Sequence, residues 1–151
     1  MMTISLLALL ASTASGLLAG ALVTEACVLV PYWKKMPPEE FVQLHPSLSP
    51  LLFRFYAPLT IVGTSMPVIA CATQWAADSP TKWFWTASAV CGVGLIGFYF
   101  SFFRQANIEF ANDPSPMNAL VTLNTWATVH LARTLVAVFG FVFAGLGIGP
   151  V

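Results

Sequence analysis

Four long apolar stretches constrain this chain more than any other feature of its sequence. They cover residues of about 3–31, 50–76, 80–111 and 116–147. Each is longer than the roughly 20 apolar residues that a helix needs to cross a hydrocarbon core about 30 Å thick. In lipid every backbone polar group must be hydrogen-bonded within the protein, so spanning segments are helices or closed barrels. The pattern predicts four transmembrane helices.

Composition leaves no room for a second kind of domain. Of the 151 residues, 58% are hydrophobic and 8% are charged, whereas a soluble domain carries roughly 25% charged residues. The net charge is zero, which provides no basic patch for nucleic acid. We therefore predict one all-α domain over residues 1–151, an integral membrane four-helix bundle whose main partner is the lipid bilayer. The first apolar run has no Lys or Arg before it and exceeds a signal sequence in length, so we expect it to be a span.

Serine-proline pairs mark the predicted starts of the later helices. Ser49-Pro50, Ser79-Pro80 and Ser115-Pro116 each precede an apolar run, and they place a capping hydroxyl before a proline at the first helical position. The connections at 77–79 and 112–115 are short, so helices 2, 3 and 4 should be antiparallel neighbours.

The connection between the first two spans, residues 31–49, has a helical pattern of its own. Phe41, Leu44, His45 and Leu48 recur at the spacing of one helix face. This predicts a short interfacial helix in the first loop.

Small residues indicate where helices approach closely. Gly16 and Gly20 in the first span, and Gly140 and Ala144 in the fourth, are each four positions apart, a spacing typical of packed membrane helices. The three cysteines have no CxxC spacing and are interpreted as small packing residues.

Basic residues predict the orientation. Lys34, Lys35, Arg54 and Arg104 lie on the side of loops 1 and 3, whereas Lys82 lies on the side of the termini. The positive-inside rule therefore places loops 1 and 3 in the cytoplasm and both termini outside.

Polar residues within the spans gather toward the side of loops 1 and 3. They include Glu25, Arg54, Arg104 and Asn107 in the first three spans. On helix 4, one face carries Asn118, Thr122, Trp126, His130 and Arg133. Polar groups are costly in lipid and are functional candidates by default. We predict a pocket between helices 2, 3 and 4 that is open toward loops 1 and 3.

Simpler explanations apply to some of these residues. Arg54 and Arg104 lie near helix ends, where a long side chain can reach the lipid head groups. The simpler role of Glu25 is to pair with an arginine, and the simpler role of His45 is that of an ordinary interfacial residue. His130 and Arg133 are harder to explain this way, since both lie deep in helix 4.

The run from Pro114 to Leu135 resembles the last helix of the anthrone-oxygenase-like family of small four-helix membrane proteins. The matching positions are Pro116, Asn118, Trp126, His130 and Arg133, together with Arg54 early in helix 2. His130 stands where an amide is more usual in that family. The resemblance covers nearly the whole chain through short, degenerate motifs.

The resemblance implies oxygenation of a phenolic substrate, an anthrone becoming an anthraquinone, by a monooxygenase without an organic cofactor. His130 would then be the base and Arg133 the group that stabilises the enolate oxygen. Trp126 and Tyr56 would stack a flat aromatic substrate, and the other residues of the predicted substrate site are Asn118, Thr122, Arg54 and Arg104.

Three other functions stay open at this point. Glu25, His45 and His130 are a possible ligand set for iron, copper or zinc, and a haem is the weaker form of that hypothesis. A small transporter would use Glu25 to bind a proton or cation, but the two halves of the chain show no common pattern. The third is a non-catalytic subunit of a larger membrane complex. As partners, a second copy of the chain in a homo-oligomer and a larger membrane complex both stay open.

Overall fold

Helices form almost all of the structure. A computed structural model describes residues 2–112 and 115–149, with side chains from Leu6 onward. Its elements in chain order are α1 (Met2–Thr24), a π-helical turn (Glu25–Leu29), α2 (Val30–Lys35), α3 (Pro38–Ala76), α4 (Lys82–Phe98), a second π-helical turn (Tyr99–Phe103), α5 (Arg104–Asn112) and α6 (Pro116–Gly147). The described residues contain no β-strand. The prediction of an all-α four-helix fold is confirmed.

The elements combine into four spans. Span 1 is Leu6–Lys35, span 2 is Pro38–Ala76, span 3 is Lys82–Asn112 and span 4 is Pro116–Gly147. All four are long and apolar enough to cross a membrane. Length and composition thus indicate a multi-pass membrane protein. Each span packs against its two neighbours in the order 1–2–3–4, and span 4 closes the ring on span 1.

The first connection differs from its prediction. Residues 38–49 are the first turns of α3 and do not form a separate interfacial helix. The break is confined to Met36 and Pro37, whose ψ angles are 142° and 137°. Each of these residues precedes a proline, which pushes the residue before it into the extended region. The two consecutive prolines therefore set a sharp turn, and helix continues on both sides of it.

Only one of the three serine-proline pairs caps a helix. Ser115 precedes Pro116 at the start of α6, and its side chain accepts a hydrogen bond from the backbone N–H of Asn118 at 3.5 Å. Ser49 lies inside α3. Ser79 accepts from the backbone N–H of Thr81 at 3.3 Å, within the turn before α4 begins at Lys82. The Ser49-Pro50 pair predicts a helix start, but α3 runs through both residues.

The half of the bundle near the termini is closely packed through small residues. Around the fully buried Trp85 lie four buried alanines: Ala8, Ala11, Ala70 and Ala144. The Trp85 indole N–H donates to the carbonyl of Gly147 at 2.9 Å, and the buried Ser88 hydroxyl donates to Gly140 at 2.9 Å. Spans 3 and 4 are thus joined by hydrogen bonds as well as by packing.

Some of the glycines that were predicted to lie at contacts between helices do lie there. A Cβ at Gly16 would lie 2.9 Å from the ring of Phe141 in span 4, and one at Gly140 would lie 3.0 Å from Cys91. Gly20, the second member of the first pair, has nothing within 4 Å of such a Cβ. Gly63, which the pattern did not indicate, meets Leu18 at 2.8 Å.

Charged and aromatic residues mark two levels along the bundle. At one end Lys82 lies 4.7 Å from the Trp75 ring, which itself packs edge-on against Trp83. Lys82 also pairs with Asp78 in the adjoining turn, and that hydrogen bond lowers the pKa of the Asp78 carboxyl group. Amphipathic aromatic and basic side chains of this kind occupy membrane interfaces.

The second level is defined by two exposed arginines. Arg54 lies 22 residues before the end of span 2, and Arg104 lies 22 residues after the start of span 3. At 1.5 Å per residue both are about 33 Å from the first level. This distance matches a hydrocarbon core of about 30 Å. Residues 38–53 therefore extend beyond the arginine level.

Gly63→Ala should destabilise the bundle. The new methyl group would be 2.8 Å from Leu18 Cβ and 3.2 Å from the Ala14 carbonyl, and overpacking of this kind costs about 1–3 kcal/mol. The matched control is Gly20→Ala, which has open space and gains helix propensity. We expect thermal unfolding in detergent to show a lower melting temperature for Gly63→Ala and an unchanged or higher one for Gly20→Ala. Equal melting temperatures would contradict the packing described for spans 1 and 2.

Candidate functional site

A cavity of about 390 Å³ lies in the half of the bundle near loops 1 and 3. Its volume is within the range of about 300–1,000 Å³ that is typical of small-molecule sites. Side chains of all four spans form the wall, which is mostly aromatic and aliphatic. The polar lining residues are Glu25, His45, Ser49, Tyr56, Thr60, Tyr99, Asn107, Trp126 and Arg133.

Four aromatic side chains, one from each span, cover the cavity toward the loops. Trp33 packs against Trp126 at 5.9 Å and against Phe41 at 6.2 Å, measured between ring centroids. Phe41 packs in turn against Phe110 at 5.3 Å. All four are at most 7% exposed. We call them the aromatic ceiling. The ceiling lies between the cavity and loops 1 and 3, the side toward which the pocket was predicted to open, and span 1 contributes to the wall as well as the predicted spans 2, 3 and 4.

Arg133 provides the buried charge of the site. Its side chain lines the cavity and the residue is 9% exposed. The guanidinium carbon lies 4.9 Å from the centroid of the Phe103 ring, a cation–π arrangement. Among the described residues, no Asp or Glu carboxylate comes within 4.0 Å of it, and its Nε atom has no hydrogen-bond partner. A cation held by an aromatic face and by no counter-ion is suited to an anionic ligand group.

Glu25 lines the same cavity and is 4% exposed. It is the first residue of the π-helical turn in span 1. The Tyr56 hydroxyl lies beside its carboxyl group and donates to the Ala21 carbonyl at 3.1 Å. Glu25 is close enough to Arg133 for the two charges to interact, although they are not in contact. The cavity therefore contains a carboxyl group and a guanidinium group with space between them.

His130 lies behind the cavity wall. It is completely buried and does not line the cavity. Its ring stacks on Trp126 with a centroid distance of 4.8 Å and an interplanar angle of 15°. Its Nε2 atom is 3.2 Å from the Leu22 carbonyl, which can only accept, so this nitrogen carries the proton. The same Nε2 is 3.7 Å from Glu25 Oε2. His130 thus connects span 4 to span 1 through the Leu22 carbonyl and lies close to Glu25.

Both π-helical turns border the cavity. Glu25 begins the first turn, and Tyr99, Phe100 and Phe103 of the second all line the wall. A π-helical turn accommodates one extra residue in a helix and occurs frequently at functional sites. Here the first turn brings a carboxyl group to the cavity, and the second brings the ring that contacts Arg133.

Three buried polar atoms at the wall have no hydrogen-bond partner. They are Trp126 Nε1, Arg133 Nε and His45 Nδ1. The first two can only donate. Buried polar atoms are nearly always hydrogen-bonded, and unpaired ones require an explanation. A bound molecule with acceptor oxygens would satisfy the two donors.

Several predicted site residues lie elsewhere. Arg54 and Arg104 are exposed and do not line the cavity. Asn118 and Thr122 border a separate cavity of about 400 Å³ beside Glu109, and the Thr122 hydroxyl donates to Glu109 Oε2 at 3.4 Å. Of the predicted stacking residues, Tyr56 and Trp126 do line the main cavity.

The sequence analysis did not identify the aromatic residues of the wall. The spacing places Phe41 on the face of the predicted interfacial helix, and it assigns no site role to Trp33, Phe103 or Phe110. Their signal is the density of aromatic residues from 99 to 110 and around 33–41, which spacing alone does not distinguish from ordinary packing. Glu25 was considered only as a pairing partner, proton-binding residue or metal ligand.

The alternative ligand set for a metal is not assembled. The described residues contain no group of three or more His, Cys, Asp or Glu side chains able to hold a metal ion. Glu25 and His130 are adjacent, but the His45 ring packs against Phe41 at 5.8 Å and Phe110 at 5.0 Å in the outer part of the bundle.

Comparison with protein-family models, with curated proteins and with solved structures finds no match to this chain. The resemblance of its last helix to the anthrone-oxygenase-like family therefore remains an expectation from the sequence.

Arg133→Met should leave the stability of the empty protein nearly unchanged. Methionine keeps much of the volume and removes a buried charge that has no contacting counter-ion, so the free energy of unfolding should change by less than about 1 kcal/mol. The comparison variant is Ser88→Ala, which removes a buried hydrogen bond to Gly140 and should cost about 1 kcal/mol or more. Melting temperatures in detergent measure both. A larger loss for Arg133→Met than for Ser88→Ala would assign Arg133 a structural role.

Proposed function

We propose that this protein binds a small, flat, phenolic molecule in the cavity and oxygenates it with molecular oxygen, as an anthrone becomes an anthraquinone. The observation that carries the proposal is that Arg133, whose Nε atom has no hydrogen-bond partner and which contacts no carboxylate, lines the same aromatic-walled cavity as the Glu25 carboxyl group. An acidic carbon and an oxygen that becomes negatively charged are what these two groups would recognise. The resemblance of the last helix points to the same class of reaction.

Glu25 would be the catalytic base, in place of His130. A base must reach the proton that it removes, and Glu25 lines the cavity whereas His130 lies behind it. Arg133 would stabilise the enolate oxygen that forms as the proton leaves. Such preorganised charge is worth most where water is excluded. His130 would act as a positioning residue through its approach to Glu25 at 3.7 Å.

The proposed reaction balances without a further reductant. Glu25 removes a proton from the carbon opposite the anthrone carbonyl, and the negative charge moves onto the carbonyl oxygen near Arg133. Dioxygen takes electrons from the enolate and forms a bond to that carbon, which gives a hydroperoxide after protonation. Loss of water then produces the second carbonyl group. One oxygen atom remains in the quinone, the other leaves in water, and the substrate loses two hydrogens.

Anthrone is the probe for this proposal, with anthraquinone as its non-reacting analogue. Glu25→Gln should reduce anthraquinone formation by about 10²-fold or more while ligand-dependent stabilisation is retained. Arg133→Met should lose both properties, and Arg133→Lys should retain a part of each because Lys keeps the charge but not the planar fork. His130→Gln should be affected less than Glu25→Gln.

Arg104→Met is the matched control, since Arg104 is exposed and outside the cavity. Product is measured by chromatography and binding by the shift in melting temperature. Wild-type turnover in Arg133→Met would refute the role of Arg133. Binding without turnover by the wild-type protein would contradict the reaction and leave a ligand-binding protein.

We also propose that the aromatic ceiling faces the cytoplasm, with both termini outside, because Lys34, Lys35, Arg54 and Arg104 lie toward that end and Lys82 toward the other. In a variant without native cysteines, a cysteine at Met36 should react with a membrane-impermeant maleimide only after the cytoplasmic side is made accessible. A cysteine at Ser79 should react from outside. The reverse pattern would invert the orientation, and labelling of both from one side would contradict the four-span fold.

A further inference from the structure

The cavity has an opening in its side, between spans 2 and 3. Toward the termini these spans are in contact, since a Cβ at Gly92 would lie 3.2 Å from the Thr64 carbonyl. Toward the loops they meet again through Phe41 and Phe110 of the ceiling. Between the two contacts the cavity wall consists of residues that also face outward.

The rim of this opening is exposed and mostly apolar, and the exposed Asn107 of span 3 lines the cavity on the loop side of Arg104. Phe53 and Ile61 of span 2 and Phe100 of span 3 line the cavity and are 62%, 64% and 67% exposed. Cavity-lining residues with so much exposed surface are the boundary between the interior and the surroundings. We call this boundary the lateral opening.

The lateral opening lies at the depth of the lipid acyl chains. Ile61 lies seven residues after Arg54, and Phe100 lies four residues before Arg104. Both residues are therefore displaced from the arginines toward the level of Trp75 and Trp83. These offsets correspond to about 10 Å and 6 Å, so Ile61 and Phe100 lie within the apolar layer bounded by the arginines, whereas Phe53 lies at the arginine level itself. Water-soluble molecules are scarce at that depth, whereas apolar aromatic molecules are concentrated there.

We propose that the lateral opening admits the ligand from the membrane, and that the ligand class is a lipid-dissolved flat aromatic molecule carrying at least one acceptor oxygen. The oxygen would meet the unpaired donors of Arg133 and Trp126, while the rings would lie against Phe103 and the apolar rim. The buried rings of the ceiling lie between the cavity and the aqueous side, which disfavours the alternative route. The proposal rests on the proposed function only for the identity of the molecule that enters.

A pair of carbodiimides tests the route without any turnover. Dicyclohexylcarbodiimide partitions into lipid, and the O–H of a carboxylic acid adds across one of its C=N bonds. The adduct rearranges to an N-acylurea that retains the whole mass of the reagent. A water-soluble carbodiimide reports on aqueous access. Glu25 is the buried target at the cavity wall, and the exposed Glu39 and Glu40 are aqueous references in the same chain.

In liposomes, dicyclohexylcarbodiimide should label Glu25, and the water-soluble reagent should label Glu39 and Glu40 but not Glu25. Phe53→Ala and Phe100→Ala, which widen the opening, should increase the Glu25 labelling rate several-fold. The matched control is Phe139→Ala, a Phe-to-Ala change at a residue of span 4 that is 57% exposed and lines none of the cavities described here. It should have no effect. Peptide mass spectrometry locates the adduct, and Glu25→Gln confirms the assignment.

The proposal is overturned if the lipid-soluble reagent does not label Glu25, if the water-soluble one labels Glu25 as fast as Glu39, or if the two widening variants react at the wild-type rate. Failure of the proposed oxygenation is a separate result. It would appear as absent anthrone turnover with the labelling pattern intact.

Discussion

A guanidinium group buried in an apolar bundle without a contacting carboxylate is the constraint on which the rest of the site depends. On the insertion scale, an arginine at the centre of a membrane helix costs about 2.5–3.5 kcal/mol. Arg133 reduces that cost through the Phe103 ring and the nearby Glu25 charge. It does not remove the cost by forming an ion pair. A structural arginine usually pairs, and in the proposed function a bound ligand would supply the partner that Arg133 lacks.

The two π-helical turns explain how apolar helices deliver these groups. In a regular helix the face that packs near the termini would continue unchanged toward the loops. The extra residue in each turn shifts the register, so that Glu25 in span 1 and Phe103 in span 3 are buried against the cavity. The turns lie at the transition between the closely packed half and the cavity. They allow one set of four helices to have both a tight and an open region.

Much of the fold follows from the sequence because lipid permits few solutions. Apolar length gave the four spans, and the polar stripe of helix 4 correctly placed Trp126, His130 and Arg133 in the interior. The first connection was harder to predict. A proline can stand at the start of a helix or inside one, and packing decides between the two. Pro50 is interior, whereas Pro38 begins α3 directly after the turn at Met36 and Pro37.

The site was harder to predict for a similar reason. Helical spacing assigns a side chain to a face but does not say how deep in that face it lies. His130 and Arg133 share one face, yet Arg133 reaches the cavity and His130 is turned toward the Leu22 carbonyl. The π-helical turns have no sequence signal in the pattern, so the register shift that brings Glu25 inward could not be anticipated. This register shift brings Glu25 to the cavity, and for that reason the proposed base is Glu25 and not the predicted His130.

The two halves of the bundle differ in packing, and the proposed function belongs to the half near the loops. Near the termini, small residues allow the helices to approach closely around Trp85, and hydrogen bonds to the Gly140 and Gly147 carbonyls join spans 3 and 4. Near the loops, large aromatic side chains hold the helices apart around the cavity, and four buried polar atoms of the described residues have no hydrogen-bond partner. A cavity and unpaired polar groups both lower stability. The packing of the half near the termini offsets that loss of stability. The four spans run from this half to the site, so its geometry also helps to keep Glu25 and Arg133 apart.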